Sequence, residues 1–219
     1  RSRHLLDRQR DCFEAWGMPA AKRETLLDRL DNYGDYYTGT PPVETFTDGD
    51  RFDIGETTLE VMHSPGHTLG LSSFVLADRN EVLSGDALLP VYTPNVGGAD
   101  VRVDKPLANY VRTLGAYVER DFDMAWPGHR DPIDEPSERA RYIVHHHGER
   151  ALRVVRVLEE RGSADAWTVS ADLFGELENI HVLHGPGEAS AHLNHLVDLG
   201  DVVREDGQYS LTEAGESRL

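Results

Sequence analysis

The chain has little cysteine, little lysine and no long apolar run, and each shortage excludes a class of protein. Cys12 is the only cysteine among 219 residues, so no internal disulfide can form. No apolar run approaches the roughly 18 residues that a membrane-spanning helix needs, and residues 1–10 do not have the pattern of a signal peptide. We therefore predict a cytoplasmic protein that does not interact with membranes.

Positive charge is also scarce. Lys22 and Lys105 are the only lysines among 22 basic residues, against 39 acidic ones, and the formal net charge is −17. A carboxylate-rich surface with few lysines is typical of a salt-rich cytosol, where ions screen its self-repulsion, although an ordinary acidic protein from a GC-rich genome has a similar composition. We predict a halophilic protein. Either origin disfavours nonspecific binding to nucleic-acid phosphates or anionic membranes.

Three predicted strands each end in a turn that presents a side chain able to bind a metal. The strands cover residues 57–62, 81–84 and 123–126, and the turns are Pro65-Gly66-His67-Thr68, Gly85-Asp86 and Pro127-Gly128-His129. Proline fixes its own φ and glycine lets the backbone bend, so each metal-competent side chain is presented from a stiff loop at a strand end. One such turn would mean little, but three in one chain indicate a shared site.

These turns, with the intervening segment Tyr110-Val111-Arg112-Thr113-Leu114, resemble the later metal motifs of the metallo-β-lactamase superfamily. The spacing is similar to that of the glyoxalase II-like and endoribonuclease-like branches, and the resemblance covers about residues 43–160. The chain departs from the family in two places. The family's first motif, His-x-His-x-Asp-His on an earlier strand, is absent, and Arg130 stands where the family usually has glycine. The chain is therefore expected to begin in the middle of the fold.

The resemblance implies a binuclear zinc site in which His67 binds one ion, Asp86 bridges both and His129 binds the other. Two such ions lower the pKa of a bridging water and polarise the scissile bond. A catalytic zinc needs about three protein ligands and an open position, whereas these residues give each ion only two. The missing motif also supplies the aspartate that orients the attacking water, so no catalytic residue is assigned. We predict that this chain alone holds little or no zinc.

Other histidines form weaker candidates for ligands. His145-His146-His147-Gly148-Glu149 superficially mimics the missing motif, but it lies on a predicted helix, where residues two apart point to different faces. We interpret it as a surface helix. The pairs His181 with His184 and His192 with His195 are interpreted as structural or solvated.

The predicted fold is α/β. Residues 1–162 form the C-terminal half of an αββα metallo-β-lactamase sandwich, and residues 163–219 form a small winged-helix module with two helices, at 170–177 and 188–199, and a hairpin at 202–211. Two segments are left with open interpretations. Tyr33, Tyr36 and Tyr37 either line a cleft or pack within a loop, and residues 92–104 form a wall or lid of the site or a plain surface loop.

The winged-helix module lacks the charge that duplex binding needs. Its candidate recognition helix, residues 188–199, contains no lysine or arginine. From Asp165 onward, Arg204 and Arg218 are the only basic residues against eleven acidic ones. Neutralising DNA phosphates requires the opposite balance. We predict no measurable duplex DNA binding and a role in packing or dimerisation.

The function implied by the resemblance is metal-dependent hydrolysis of a thioester, another ester, or a phosphodiester in RNA. The alternative is a non-catalytic remnant or subunit that keeps the scaffold and pairs with a chain supplying the missing ligands. Bound metal distinguishes the two. In both cases a sheet without its partner strands leaves an apolar face or edge open, and such surfaces promote association. We predict a homo-oligomer or a complementing chain.

Overall fold

The computed structural model describes residues 3–32 and 42–218, so the tyrosines at 33, 36 and 37 lie outside the described residues. Helices and strands are mixed, which confirms the α/β class. In chain order the elements are α1 (Arg3–Ala15), α2 (Ala20–Asn32), β1 (Arg51–Ile54), β2 (Thr57–His63), β3 (Ser72–Leu76), β4 (Glu81–Gly85), α3 (Pro106–Arg120), β5 (Met124–Pro127), α4 (Pro136–Arg161), α5 (Ala166–Phe174), α6 (His181–Leu199), β6 (Val202–Glu205), β7 (Gln208–Leu211) and α7 (Glu213–Glu216). None of the described helices is both long and apolar enough to cross a bilayer.

The chain divides into two compact units. One comprises Glu44–Glu149, and the other combines Arg1–Val43 with Arg150–Leu219. The division falls inside α4, whereas the sequence-based boundary lies after residue 162. That boundary between a catalytic domain and a winged-helix module stays a prediction.

The unit Glu44–Glu149 contains one five-stranded sheet in the order β1-β2-β3-β4-β5. Strands β1 to β4 pair antiparallel in sequence, and β5 pairs parallel to β4 after a crossover through α3. Strands β2, β4 and β5 therefore run in the same direction. Their carboxyl ends meet at one edge of the sheet, and the three glycine-containing turns follow at that edge.

The two faces of this sheet differ in exposure. On one face Ser73, Val75 and Val82 are buried, and Tyr117 of α3 bonds Ser73 through its hydroxyl at 2.7 Å. Alternation along a strand places every second side chain on the opposite face. Helix α3 therefore covers one face of the sheet.

The opposite face carries an exposed apolar row. Phe74 pairs in register with Leu83, and Leu83 with Trp126, so the three side chains share this face. Leu83 is 38% exposed and Trp126 41%, and Phe46 packs edgewise against Phe74. Exposed patches of this kind mark interaction surfaces. Whether a second copy or a complementing chain covers the row stays a prediction.

The unit formed by Arg1–Val43 and Arg150–Leu219 is mostly helical, and its β6–β7 hairpin is followed by the short helix α7. Helix α5 begins at Ala166, earlier than predicted, because the Asp165 side chain caps it by accepting from the amide of Thr168. Helix α6 begins at His181, although the sequence favours a start at residue 188, after Gly185-Pro186-Gly187. Burial of residues 185–193 outweighs the roughly 3 kcal/mol that an internal proline costs a helix. The helix–helix–hairpin order is present, and its assignment as a winged helix stays a prediction.

Candidate metal centre

The structure brings together the three side chains that the sequence singled out. Asp86 lies between the two histidines: its Oδ2 is 3.8 Å from Nε2 of His67, and its Oδ1 is 3.6 Å from Nε2 of His129. The common direction of β2, β4 and β5 places all three turns at one edge of the sheet, which explains the convergence. One carboxylate therefore faces two imidazole nitrogens, one with each oxygen. That these residues bind metal stays a prediction.

The imidazole of His67 is oriented by the loop that follows Asp86. Its Nδ1 lies 2.7 Å from the backbone carbonyl of Asn95. A carbonyl can only accept, so Nδ1 donates this hydrogen bond, and Nε2 is the ring nitrogen that faces Asp86. The Asn95 side chain is itself held, because its Oδ1 accepts from the amides of Gly98 and Ala99. This is the arrangement in which a neutral histidine binds a metal ion through Nε2.

The carboxylate of Asp86 has an oxygen that needs a partner. Its Oδ1 is buried and has no hydrogen bond within the described residues. A buried acceptor left without a donor is costly, and a cation placed between the carboxylate and the imidazoles would compensate it. The donor set of two imidazoles and one carboxylate is one that zinc accepts. The residues present therefore fit a zinc ion.

Two of the turn positions at this edge require glycine, Gly128 because of a close contact and Gly66 because of its backbone conformation. A Cβ on Gly128 would lie 2.7 Å from Oδ1 of Asp86, so a side chain there would displace the carboxylate. The amide of Gly128 also donates to the carbonyl of Gly85 at 2.8 Å and joins the second turn to the third. Gly66 has a φ of +142°, which is open to glycine and strained for other residues. The turn glycines thus serve the site geometry as well as the bend.

The loop between β4 and α3 is tied to the rest of the site. Asp100 is buried and accepts from the amide of Leu69, two residues after His67, and from the guanidinium of Arg102. Arg139 on α4 donates to the carbonyls of Leu89 and Tyr92. With Asn95 bonded to His67, these contacts favour a fixed wall of the site over a plain surface loop.

Acid is expected to weaken this wall. Burial raises the pKa of the Asp100 carboxyl, but hydrogen bonds from Arg102 and the Leu69 amide outweigh burial and bring the pKa to about 2. The folded value lies below the unfolded one, so the stabilisation is present above about pH 4 and is lost as the pH falls through about 2. Asp100→Asn should remove about 2 kcal/mol of this pH-dependent stability. Urea unfolding between pH 2 and 6 measures it.

A matched control for this prediction is Asp78→Asn, which changes an exposed aspartate in the β3–β4 turn of the same unit. It should keep the wild-type decline in unfolding free energy towards low pH. If Asp100→Asn also keeps that decline, the proposed contribution of Asp100 is absent.

The histidine run on α4 does not form one face. His145 is exposed and lies 3.4 Å from a carboxylate oxygen of Glu149. His147 is buried, with its ring centroid 5.6 Å from that of Tyr110. The surface-helix interpretation is therefore right for His145 and wrong for His147, because α4 turns that residue inward. On α6, His192 is buried and its Nδ1 bonds the carbonyl of Glu188, so it is not solvated, and its interpretation as a structural residue stays a prediction.

Comparison with known proteins identifies the fold. The family model of the Metallo-beta-lactamase superfamily matches residues 9–129, so the match begins within α1 and includes α2, upstream of the segment that the sequence motifs indicated. A beta-lactamase domain protein from Burkholderia ambifaria superposes with a TM-score of 0.77 at 28% identity, over 91% of this chain and 60% of that one. A metallo-beta-lactamase family protein from Thermus thermophilus gives a TM-score of 0.69 at 27% identity, over 90% of this chain and 67% of that one.

One curated relative has a name that states an enzymatic activity. The chain is 26% identical over 135 residues to an atrochrysone carboxyl ACP thioesterase from Aspergillus chevalieri, covering 61% of this chain and 41% of that protein. The chain spans between 34% and 41% of the length of the curated relatives that it matches.

Proposed function

Since this chain belongs to the metallo-β-lactamase superfamily, we propose that it is a metal-dependent hydrolase whose site is built on His67, Asp86 and His129. The observation that carries the proposal is the Asp86 carboxylate, which directs one oxygen towards each imidazole and has one of them buried without a donor in the described part of the chain. His67 and His129 would each hold one zinc ion, and Asp86 would be shared between them.

Zinc bound there would bring the pKa of a coordinated water towards 7 and polarise the bond to be cleaved. The chain's own residues would prepare the ligands. Asn95 fixes the His67 tautomer, the Gly128 backbone leaves room for the Asp86 carboxylate, and Asp100 anchors the loop beside His67. Because Asp86 is shared, each of the two ions would have only two protein ligands, one histidine and the aspartate. A catalytic zinc needs about three, so a complete site needs further ligands.

We propose a thioester as the substrate class. The support is the curated relative named as an acyl-carrier-protein thioesterase. Charge argues against RNA as the substrate, because the sequence from Asp165 onward contains eleven acidic residues and only two arginines. The absence of duplex DNA binding remains our prediction on the same grounds.

A non-catalytic subunit is the second candidate function. The observation that favours it is that each ion position has only two protein ligands in this chain. Such a protein would keep the sheet and the three turns while another chain supplies the remaining ligands. Both candidates require the same convergence of His67, Asp86 and His129, so only catalysis and metal stoichiometry separate them.

The test is release of free thiol from a small acyl thioester at saturating zinc. It is run on the chain alone and on the chain with a complementing segment that carries the family's His-x-His-x-Asp-His motif, with a single-stranded RNA oligonucleotide as a parallel substrate. We expect little hydrolysis alone and zinc-dependent thioester hydrolysis with the segment, both lost in Asp86→Ala. Cleavage of RNA in place of thioester contradicts the substrate class, and no hydrolysis of either supports the non-catalytic candidate.

A further inference from the structure

Helix α3 contacts the turn that carries Asp86. Tyr110 is fully buried on this helix, and its hydroxyl donates to the carbonyl of Ala87 at 3.0 Å. Ala87 directly follows Asp86. The hydrogen bond therefore fixes the backbone on one side of the carboxylate.

The same helix contacts the turn that carries His67. A Cβ on Gly66 would lie 2.5 Å from Cβ and 2.8 Å from Cα of Tyr110, so the turn lies directly against the helix backbone. One helical turn further on, the hydroxyl of Thr113 donates to the carbonyl of Pro65 at 2.8 Å. Residues three apart share a helix face, so one face of α3 holds both turns.

Resting on the function proposed above, we propose that Tyr110 and Thr113 are positioning residues that set the separation of His67 and Asp86. Each acts through a backbone carbonyl within two residues of a ligand, and neither is proposed to touch the metal or the substrate. A helix is a rigid element, so its two hydroxyls define a fixed distance between the two turns, in addition to the bond from His67 to Asn95. Groups that orient metal ligands in this way are typically worth 10- to 100-fold in metal affinity.

The chain contains a matched control on the same helix. Tyr117 is also fully buried on α3, seven residues after Tyr110, but its hydroxyl bonds serine side chains of the strands, with Ser73 on β3 at 2.7 Å. Tyr110→Phe and Tyr117→Phe remove the same atom from similar surroundings. Both lose buried hydrogen bonding and so some stability, but only Tyr110 bonds the backbone of a ligand turn directly, whereas Tyr117 reaches the turns only through the side chains of Ser73 and Ser84.

Metal affinity is measured by calorimetric titration of the wild type and the three variants with Co²⁺ as a spectroscopically visible substitute for zinc. We expect Tyr110→Phe and Thr113→Val to weaken Co²⁺ binding by about 10- to 100-fold and to alter its visible spectrum. Tyr117→Phe should stay within about twofold of the wild type. An equal loss of affinity in Tyr110→Phe and Tyr117→Phe overturns the proposal, because general destabilisation would then explain both.

A metal-free measurement separates this inference from the proposed function. Amide hydrogen exchange of the apoprotein is followed at His67 and Ala87, whose turns the two hydroxyls hold. Exchange at these amides should be faster in Tyr110→Phe than in Tyr117→Phe, and equal rates in the two variants overturn the inference. If the wild type takes up no Co²⁺, the metal assignment fails, and the exchange comparison alone decides whether Tyr110 positions the turns.

Discussion

Replacing Asp86 by alanine is expected to weaken metal binding by this chain more than replacing either histidine does. The Asp86 carboxylate faces both histidines, with Nε2 of His67 at 3.8 Å and Nε2 of His129 at 3.6 Å, so its loss removes a ligand from both ion positions at once. We expect affinity for Zn²⁺ to fall by about 100-fold or more, and by about tenfold or more in His67→Ala or His129→Ala, since each histidine serves one position.

The measurement is calorimetric titration with zinc, followed by metal analysis after dialysis against a mild chelator. The wild-type chain should keep well under one zinc per molecule, because two protein ligands per ion rarely hold a catalytic metal against exchange. The control is His145→Ala, which removes an exposed imidazole outside the three turns and should bind zinc like the wild type. Stoichiometric zinc retained by the wild type would show that other groups complete the site, and unchanged affinity in Asp86→Ala would refute the assignment.

The part of the site that the sequence predicted depends on local signals. Each of β2, β4 and β5 ends next to a glycine turn, and glycine and proline act through the backbone of their own neighbours. The same locality explains the β6–β7 hairpin, whose Asp206-Gly207 turn has φ values of 48° and 81° and matches the predicted two-residue connection. The pairing order makes β2, β4 and β5 run in the same direction. The three turns that follow these strands therefore lie at the same edge of the sheet.

The supporting residues could not be predicted because their contacts are distant along the chain. Asn95 reaches His67 across 28 residues, Tyr110 reaches Ala87 across 23, and Thr113 reaches Pro65 across 48. In the sequence, Tyr110 is one of several apolar positions on the inward face of a helix. The sequence does not indicate that its hydroxyl bonds the carbonyl of Ala87, because this contact depends on the three-dimensional position of the Asp86 turn. Residues that orient ligands through backbone carbonyls are therefore found only from the structure.

Burial also overrode a local signal in α6. The string Gly185-Pro186-Gly187 is typical of a break, because proline lacks an amide and both glycines favour flexibility. In the structure a Cβ on Gly185 would lie 2.6 Å from Oγ of Ser170, so the glycine permits close packing of α6 on α5. The helix continues through the proline because its neighbours are buried in that contact. Composition alone could not reveal which helix lies against these residues.

A second large effect is expected in that helical unit, where Glu188 of α6 pairs with Arg150 of α4. The two side chains are 9% and 13% exposed, and the guanidinium also lies over the ring of Phe174. Glu188→Leu would leave the buried guanidinium without its carboxylate, and its Nε already has no hydrogen-bond partner among the described residues. Removing one partner of a buried ion pair typically costs about 3–5 kcal/mol of unfolding free energy. Urea unfolding at neutral pH measures this loss.

The double variant Arg150→Met/Glu188→Leu tests the cause. Replacing both charges with apolar side chains of similar size removes the uncompensated guanidinium, so the double variant should be more stable than Glu188→Leu alone. Glu24→Gln is the surface control, because Arg10 and Glu24 form an ion pair that is about half exposed on both sides and should matter little. A Glu188→Leu protein as stable as the wild type, or a double variant no better than the single one, would show that solvent reaches Arg150 and that this pair does not hold α4 to α6.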